Sequence, residues 1–131
     1  MNQTKLNIIT KTEKYPIIIG TNLISNISKI FKLNSIYFEK CLLVVDKNIP
    51  KKFILNIKRS LKNKKIYVLF FNASEKNKNL NSVNKILEIL LKENFSRNDC
   101  LISLGGGITG DVSGFAANLF KRGLKFINIP T

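Results

Sequence analysis

A chain of 131 residues, 44% apolar and 23% charged, has the size and composition of one soluble globular domain, not of a fibrous or disordered segment. Its 22 Lys and Arg against 8 Asp and Glu give a net charge of +14, yet the lysines are scattered and no aromatic stripe interleaves with them, so no nucleic-acid surface is expected. No apolar run approaches the roughly 18 residues a membrane-spanning helix needs, and the opening MNQTKLN lacks the apolar stretch of a secretion signal, so the expected location is cytoplasmic.

In chain order, KLNIIT (5–10) and YPIIIG (15–20) are predicted as short strands, with Gly20 and Asn22 marking the turn that follows. Leu23, Ile24, Ile27, Ile30 and Phe31 recur at helical spacing over 22–32. CLLVVD (41–46) is a continuous apolar run ending in an acid, the pattern of a parallel strand covered on both faces. Pro50 suits the first turn of a helix running to about Lys62, and KIYVLFF (65–71) is a further buried strand. After the polar loop NASEKNKN (72–79), residues Leu80, Val83, Ile86, Leu87, Leu90 and Leu91 form one helical stripe. CLISL (100–104), a glycine cluster, a helix through about Lys121 and a last strand KFINIP (125–130) complete the series. Strand–helix–strand repeats with short connections predict an α/β fold, a Rossmann-like parallel sheet with flanking helices, preceded by paired strands. The whole of 1–131 is expected to be one nucleotide-binding domain, cut short after Thr131 because the chain stops at the tip of a predicted central strand.

Cys41 and Cys100 each open an apolar run. With no CxxC pairing and no histidine they offer no metal framework and are expected to be small buried hydrophobes, kept reduced. The abundance of Asn, Ile and Phe beside Lys follows AT-rich coding, which places much of the charge on solvated faces.

The glycines concentrate in LISLGGGITGDVSGFAANLF (101–120). In doubly wound sheets ligands collect outside the carboxyl ends of the strands, where Gly105, Gly106 and Gly107 are expected to lie. GGGITG also satisfies G-x-G-x-x-G between a strand and a helix, where glycine admits a pyrophosphate and the helix offers free N–H groups. It departs from the dinucleotide fingerprint by following a late strand, with no acid about 20 residues beyond it, and no G-K-[ST] makes it a P-loop. Asp111 fits either as an acid in the first part of a helix or as an acceptor for a donor group on the ligand.

Residues 105–131, GGGITGDVSGFAANLFKRGLKFINIPT, resemble without a gap the segment GGGxxGDxxGFxAxxxxRGxxxxxxPT of the 3-dehydroquinate synthase family, which are sugar-phosphate cyclases. VVDKN (44–48) resembles the family's strand-end acid with Asn two residues on, and SEKNK (74–78) its G-E-x-x-K loop, with Ser74 in place of Gly. The resemblance implies that Asp46 and Asn48 hold the adenosine side of NAD, that Glu75 and Lys78 contact the same cofactor, that Gly106, Gly107 and Gly110 wrap the pyrophosphate, and that Asp111 meets the nicotinamide end. Thr131 would begin a further cofactor loop, and Arg122 would bind substrate. The implied reaction converts 3-deoxy-D-arabino-heptulosonate 7-phosphate to 3-dehydroquinate and phosphate, with NAD transiently reduced and a divalent metal, zinc or cobalt, held by a Glu and two His of a helical C-terminal domain. None of that domain is in these residues, so the isolated chain is expected to be inactive; the complete enzyme is expected to be a homodimer. Alternatives are another sugar-phosphate cyclase such as 2-deoxy-scyllo-inosose synthase, a metal-dependent alcohol or glycerol dehydrogenase, a basic nucleic-acid-binding module, or an inert fragment.

Overall fold

A computed structural model describes residues 2–131. The chain runs β1 (Gln3–Ile9), β2 (Lys14–Gly20), α1 (Ile27–Leu33), β3 (Lys40–Asp46), α2 (Lys51–Ser60), β4 (Lys65–Phe71), α3 (Leu80–Lys92), β5 (Cys100–Gly105), α4 (Gly107–Leu119) and β6 (Lys125–Pro130). β1 and β2 pair antiparallel as a separate two-stranded hairpin; β3 to β6 form one parallel sheet in the order β4-β3-β5-β6. The hairpin register sets Leu6 against Ile17 and Ile8 against Tyr15 on one apolar face, much of which stays exposed.

Alternation along the two central strands divides the core in two. Cys41, Leu43 and Val45 of β3 and Cys100, Ile102 and Leu104 of β5 pack with Ile27, Phe31, Ile54 and Ile57 of α1 and α2. Leu42, Val44 and Leu101 pack on the other face with Val83, Ile86 and Leu90 of α3 and Val112 and Ala116 of α4. A parallel strand roofed on both sides is apolar at nearly every position, which is why CLLVV and CLISL lack polar alternation; the one polar member, the buried Ser103, donates its hydroxyl to Asn128 Oδ1. β6, predicted as a central strand, is an outer strand of this sheet, and its exposure alternates accordingly.

The helix predicted over 22–32 is divided: Ile24–Asn26 form a 3-10 turn and only Ile27–Leu33 are α-helical, with Asn22 at φ 55°. α4 ends at Leu119, short of Lys121. Phe120 leaves the helix at ψ 118°, and Lys121, Arg122 and Gly123 follow at φ 41°, 69° and 108°. The positive charge has structural employment at the amino ends of the strands. There Lys40 Nζ donates to the carbonyls of Glu93 (2.7 Å) and Asn94 (2.9 Å) at the C-terminus of α3, and Lys121 Nζ donates to Phe95 O. Such cations satisfy the orphan carbonyls of a helix end and complement its dipole.

Cys41 and Cys100 are register partners on neighbouring strands, both free and buried. Burial first, and the neighbouring Asp99 second, push the Cys41 thiol up to about 12; burial and then Cys41 raise Cys100 in the same direction. Both therefore behave as neutral core residues.

Two of the helical glycines are explained by how closely α4 lies on β6. A Cβ on Gly110 would stand 3.0 Å from Asn128 Oδ1, and one on Gly114 would stand 3.1 Å from the Phe126 ring. Four helical residues advance about 6 Å and two strand residues about 6.6 Å, and α4 runs antiparallel to β6, so going four residues forward from Gly110 to Gly114 keeps step with going two residues back from Asn128 to Phe126. Asn128 Oδ1 is itself fixed by the buried Ser103 hydroxyl at 2.6 Å, whereas the exposed Phe126 ring is free to swing outward. Gly110→Ala is therefore expected to lower the melting temperature more than Gly114→Ala, by about 1–2 kcal/mol of stability. Thermal denaturation of the two variants side by side checks the order; equal losses would contradict it.

Candidate cofactor site

From β3 the chain crosses through α2 to β4 on one side; from β5 it crosses through α4 to β6 on the other side and the opposite face. The carboxyl ends of β3 and β5 therefore flank the point where the winding reverses, the place in an open α/β sheet where a crevice forms. Asp46 ends β3 and Gly105 ends β5, and a Cβ built on Gly105 would come within 3.0 Å of the Asp46 Cβ. The acid and the first glycine are thus in contact.

Around that contact the strand tips are tied together. Lys47 N donates to Phe71 O (2.9 Å), joining β3 to β4, and Thr131 N donates to Gly105 O (3.0 Å), joining the residue after β6 to β5. One Asp46 carboxylate oxygen accepts from Asn48 N at 3.0 Å, a turn that draws Asn48 back over the strand end. On the far side of β3, the β4–α3 connection carries Glu75 and Lys78 in and after a 3-10 turn, and Asn79 caps α3 by accepting from Ser82 N. Lys78 Nζ reaches Asp111 Oδ2 of α4 at 3.1 Å.

The glycine turn supplies the anion-binding end. Gly106 is the N-cap of α4, and the first i−4 bond of the helix runs from Gly110 N to Gly106 O (3.1 Å), so the preceding amides of Gly107, Ile108 and Thr109 face the crevice mouth without that partner. Neither Gly106 nor Gly107 has a positive φ, and a Cβ on either would meet nothing within 4 Å. Gly105 differs, since its Cβ would strike Thr109 Oγ1 at 2.8 Å. The Thr109 hydroxyl is fully buried and has no hydrogen-bond partner in the chain.

Asp46, Asn48, Glu75, Lys78, Gly106, Gly107, Gly110, Asp111 and Thr131 accordingly all lie at or beside the carboxyl edge of the sheet. Arg122 does not: it is exposed at the other end of α4, a 13-residue helix about 20 Å long. Sequence reasoning did not pair Lys78 with Asp111, nor single out Thr109; no local pattern in the sequence signals a contact between two loops distant along the chain. Among the described residues no three of His, Cys, Asp and Glu come together as a metal site.

Residues 68–131 match the family described as 3-dehydroquinate synthase N-terminal. Over all 131 residues the chain is 60% identical to the 3-dehydroquinate synthase of Pelagibacter ubique, of which it spans 36%. This chain belongs to the 3-dehydroquinate synthase family. A second 3-dehydroquinate synthase, from Streptococcus thermophilus, is 34% identical over 130 residues, 97% of this chain and 36% of that protein. The chain thus spans little more than a third of these relatives, and it matches the N-terminal part of the family. The fold agrees with that of sugar-phosphate cyclases. The crystal structure of 2-deoxy-scyllo-inosose synthase superposes with a TM-score of 0.86 at 22% identity, over 98% of this chain and 36% of that one. The 2-epi-5-epi-valiolone synthase of Streptomyces hygroscopicus, whose structure has NAD+ and Zn2+ bound, gives 0.76 at 20% identity over 94% of this chain and 34% of that one.

Proposed function

We propose that these residues form the NAD-binding part of a 3-dehydroquinate synthase, a phosphate-eliminating lyase that converts 3-deoxy-D-arabino-heptulosonate 7-phosphate to 3-dehydroquinate. The observation that carries the reading is the empty space over Gly106 and Gly107. Glycine costs roughly 0.5–1 kcal/mol relative to alanine in regular structure, and here neither backbone conformation nor a neighbouring atom within the chain requires it. A ligand pressed against the helix amides does require it, and the fully buried, unpartnered Thr109 hydroxyl adds polarity just beneath. The residues fit a dinucleotide: amides and a helix N-terminus for the pyrophosphate, and the free oxygen of Asp46 for a ribose hydroxyl.

When bound, NAD supplies a reversible hydride acceptor. The chain's own contribution is to hold it: Asp46 and Asn48 fix the adenosine side, Glu75 and Lys78 close over it, Gly106, Gly107 and Gly110 allow close approach, and Asp111 orients the nicotinamide end. A divalent metal does not fit the residues present, which include no histidine and no cluster of three acidic or cysteine side chains among the described residues, and the 131-residue chain alone is proposed to be inactive. A role for Arg122 in substrate binding, a homodimeric state and a cytoplasmic location belong to the same proposal and rest on the family resemblance.

The test is phosphate release by the full-length protein. Release from the heptulosonate phosphate that depends on added NAD, without accumulation of NADH, is the expected result. Release from glucose 6-phosphate but not from the heptulosonate would overturn the substrate, and no NAD dependence would overturn the reading as a whole.

A further inference from the structure

We propose that an ordered water is bound beneath α4, bridging the hydroxyls of Thr109, Ser113 and Ser103 and tying the first two turns of the helix to β5. All three residues are fully buried, and the Thr109 and Ser113 hydroxyls have no hydrogen-bond partner within the chain. These two stand one helical turn apart on the face of α4 that carries Val112 and Ala116 onto the sheet. Ser103 comes from the sheet side. On β5 it alternates with Ile102 and Leu104, and so shares the face of Leu101, which packs in the same cluster as Val112 and Ala116.

Register brings the three together. Gly110 lies over Asn128 and Gly114 over Phe126, and the β5 partners of those strand residues are Ser103 and Leu101. Thr109 and Ser113 each precede one of these glycines by a single residue, a rise of about 1.5 Å. The level of Ser103 therefore falls between the two hydroxyls. Helical residues at i and i+4 are about 5–6 Å apart at Cβ, close to the span of two O–H···O bonds of about 2.8 Å through one water. Ser103 donates to Asn128 Oδ1 (2.6 Å), which leaves its own oxygen free to accept. A water at this point accepts from Thr109 and Ser113 and donates to Ser103, the three bonds typical of a buried water. Three of the five buried polar residues among those described thus meet under one helix. A dry interface has no use for them, since each hydroxyl costs free energy to bury unbonded. The water fixes how high the start of α4 stands over β5, whatever ligand the glycine turn holds.

The alternative is a dry seam in which the hydroxyls stay unbonded, and the sign of a substitution separates the two. In the full-length protein the isosteric Thr109→Val, and Ser113→Ala, are each expected to lower the melting temperature by about 2 °C. The double variant is expected to lose clearly less than the two losses added, because both substitutions act on one water. In a dry seam each substitution removes an unbonded hydroxyl and relieves the protein. Either single variant melting with the native protein or above it would overturn the proposal, as would losses that add in full. A high-resolution crystal structure of the full-length protein is expected to show one oxygen within about 3 Å of all three hydroxyls. Hydroxyls bonded only to protein groups there would contradict it.

Discussion

Gly107→Ala is expected to raise the melting temperature of the full-length protein by about 1 °C while weakening NAD+ binding about 10–100-fold. The two effects have separate causes. Gly107 has an ordinary helical φ and open space around it, so alanine removes conformational freedom from the unfolded chain and strains nothing, a gain of about 0.4–1 kcal/mol. A helical Cα–Cβ bond leans toward the N-terminus, which here is the direction of the anion. A methyl group there displaces the phosphate from amides whose charge-assisted hydrogen bonds contribute about 1.5–3 kcal/mol each. Thermal denaturation without ligand and calorimetry with NAD+ measure the two arms. A destabilised variant would show that Gly107 serves the fold, and unchanged affinity would show that no ligand uses the space.

Gly105→Ala is expected to do the reverse to stability, lowering it by about 1–3 kcal/mol. Its Cβ would meet Thr109 Oγ1 at 2.8 Å, Thr109 Cβ at 3.0 Å and Asp46 Cβ at 3.0 Å, and no movement of a flexible side-chain end relieves contacts this close to the backbone. The helix start or the tip of β3 must shift, so NAD+ affinity falls as well. Adding Thr109→Ala removes the 2.8 Å contact and leaves both 3.0 Å contacts, so it recovers only part of the loss. A Gly105→Ala protein that melts with the native one would refute this account of the contact between Asp46 and the glycine turn. Two neighbouring glycines thus respond with opposite sign, one kept for the fold and one for the ligand.

Much of this was legible in the sequence. The apolar runs at 41–45 and 100–104 could belong only to covered parallel strands, and they are the two central ones. Asp46 and the glycines were readable as strand-end residues, and parallel pairing brings strand ends to one edge whatever lies between them. Other features depended on information the sequence does not carry locally. Arg122 sits inside one contiguous motif with Gly105 and Asp111, yet a helix intervenes and carries it to the opposite edge of the sheet. The end of α4 was placed too late because Lys121 and Arg122 have adequate helix propensity; they are nevertheless held at positive φ, where Leu124 N donates back to Ala117 O (2.8 Å) and Lys121 reaches Phe95 O. The pairing of Gly110 with Asn128 and of Lys78 with Asp111 is tertiary, and appears only once α4 is laid on β6 and beside α3.

The most direct test of the cofactor site is amide hydrogen exchange of the full-length protein with and without NAD+. Protection is expected in peptides covering 46–48, 75–78 and 105–111, with the strongest effect at the glycine turn. Protection absent from 105–111, or confined to the lysine-rich amino edge of the sheet, would contradict the assignment.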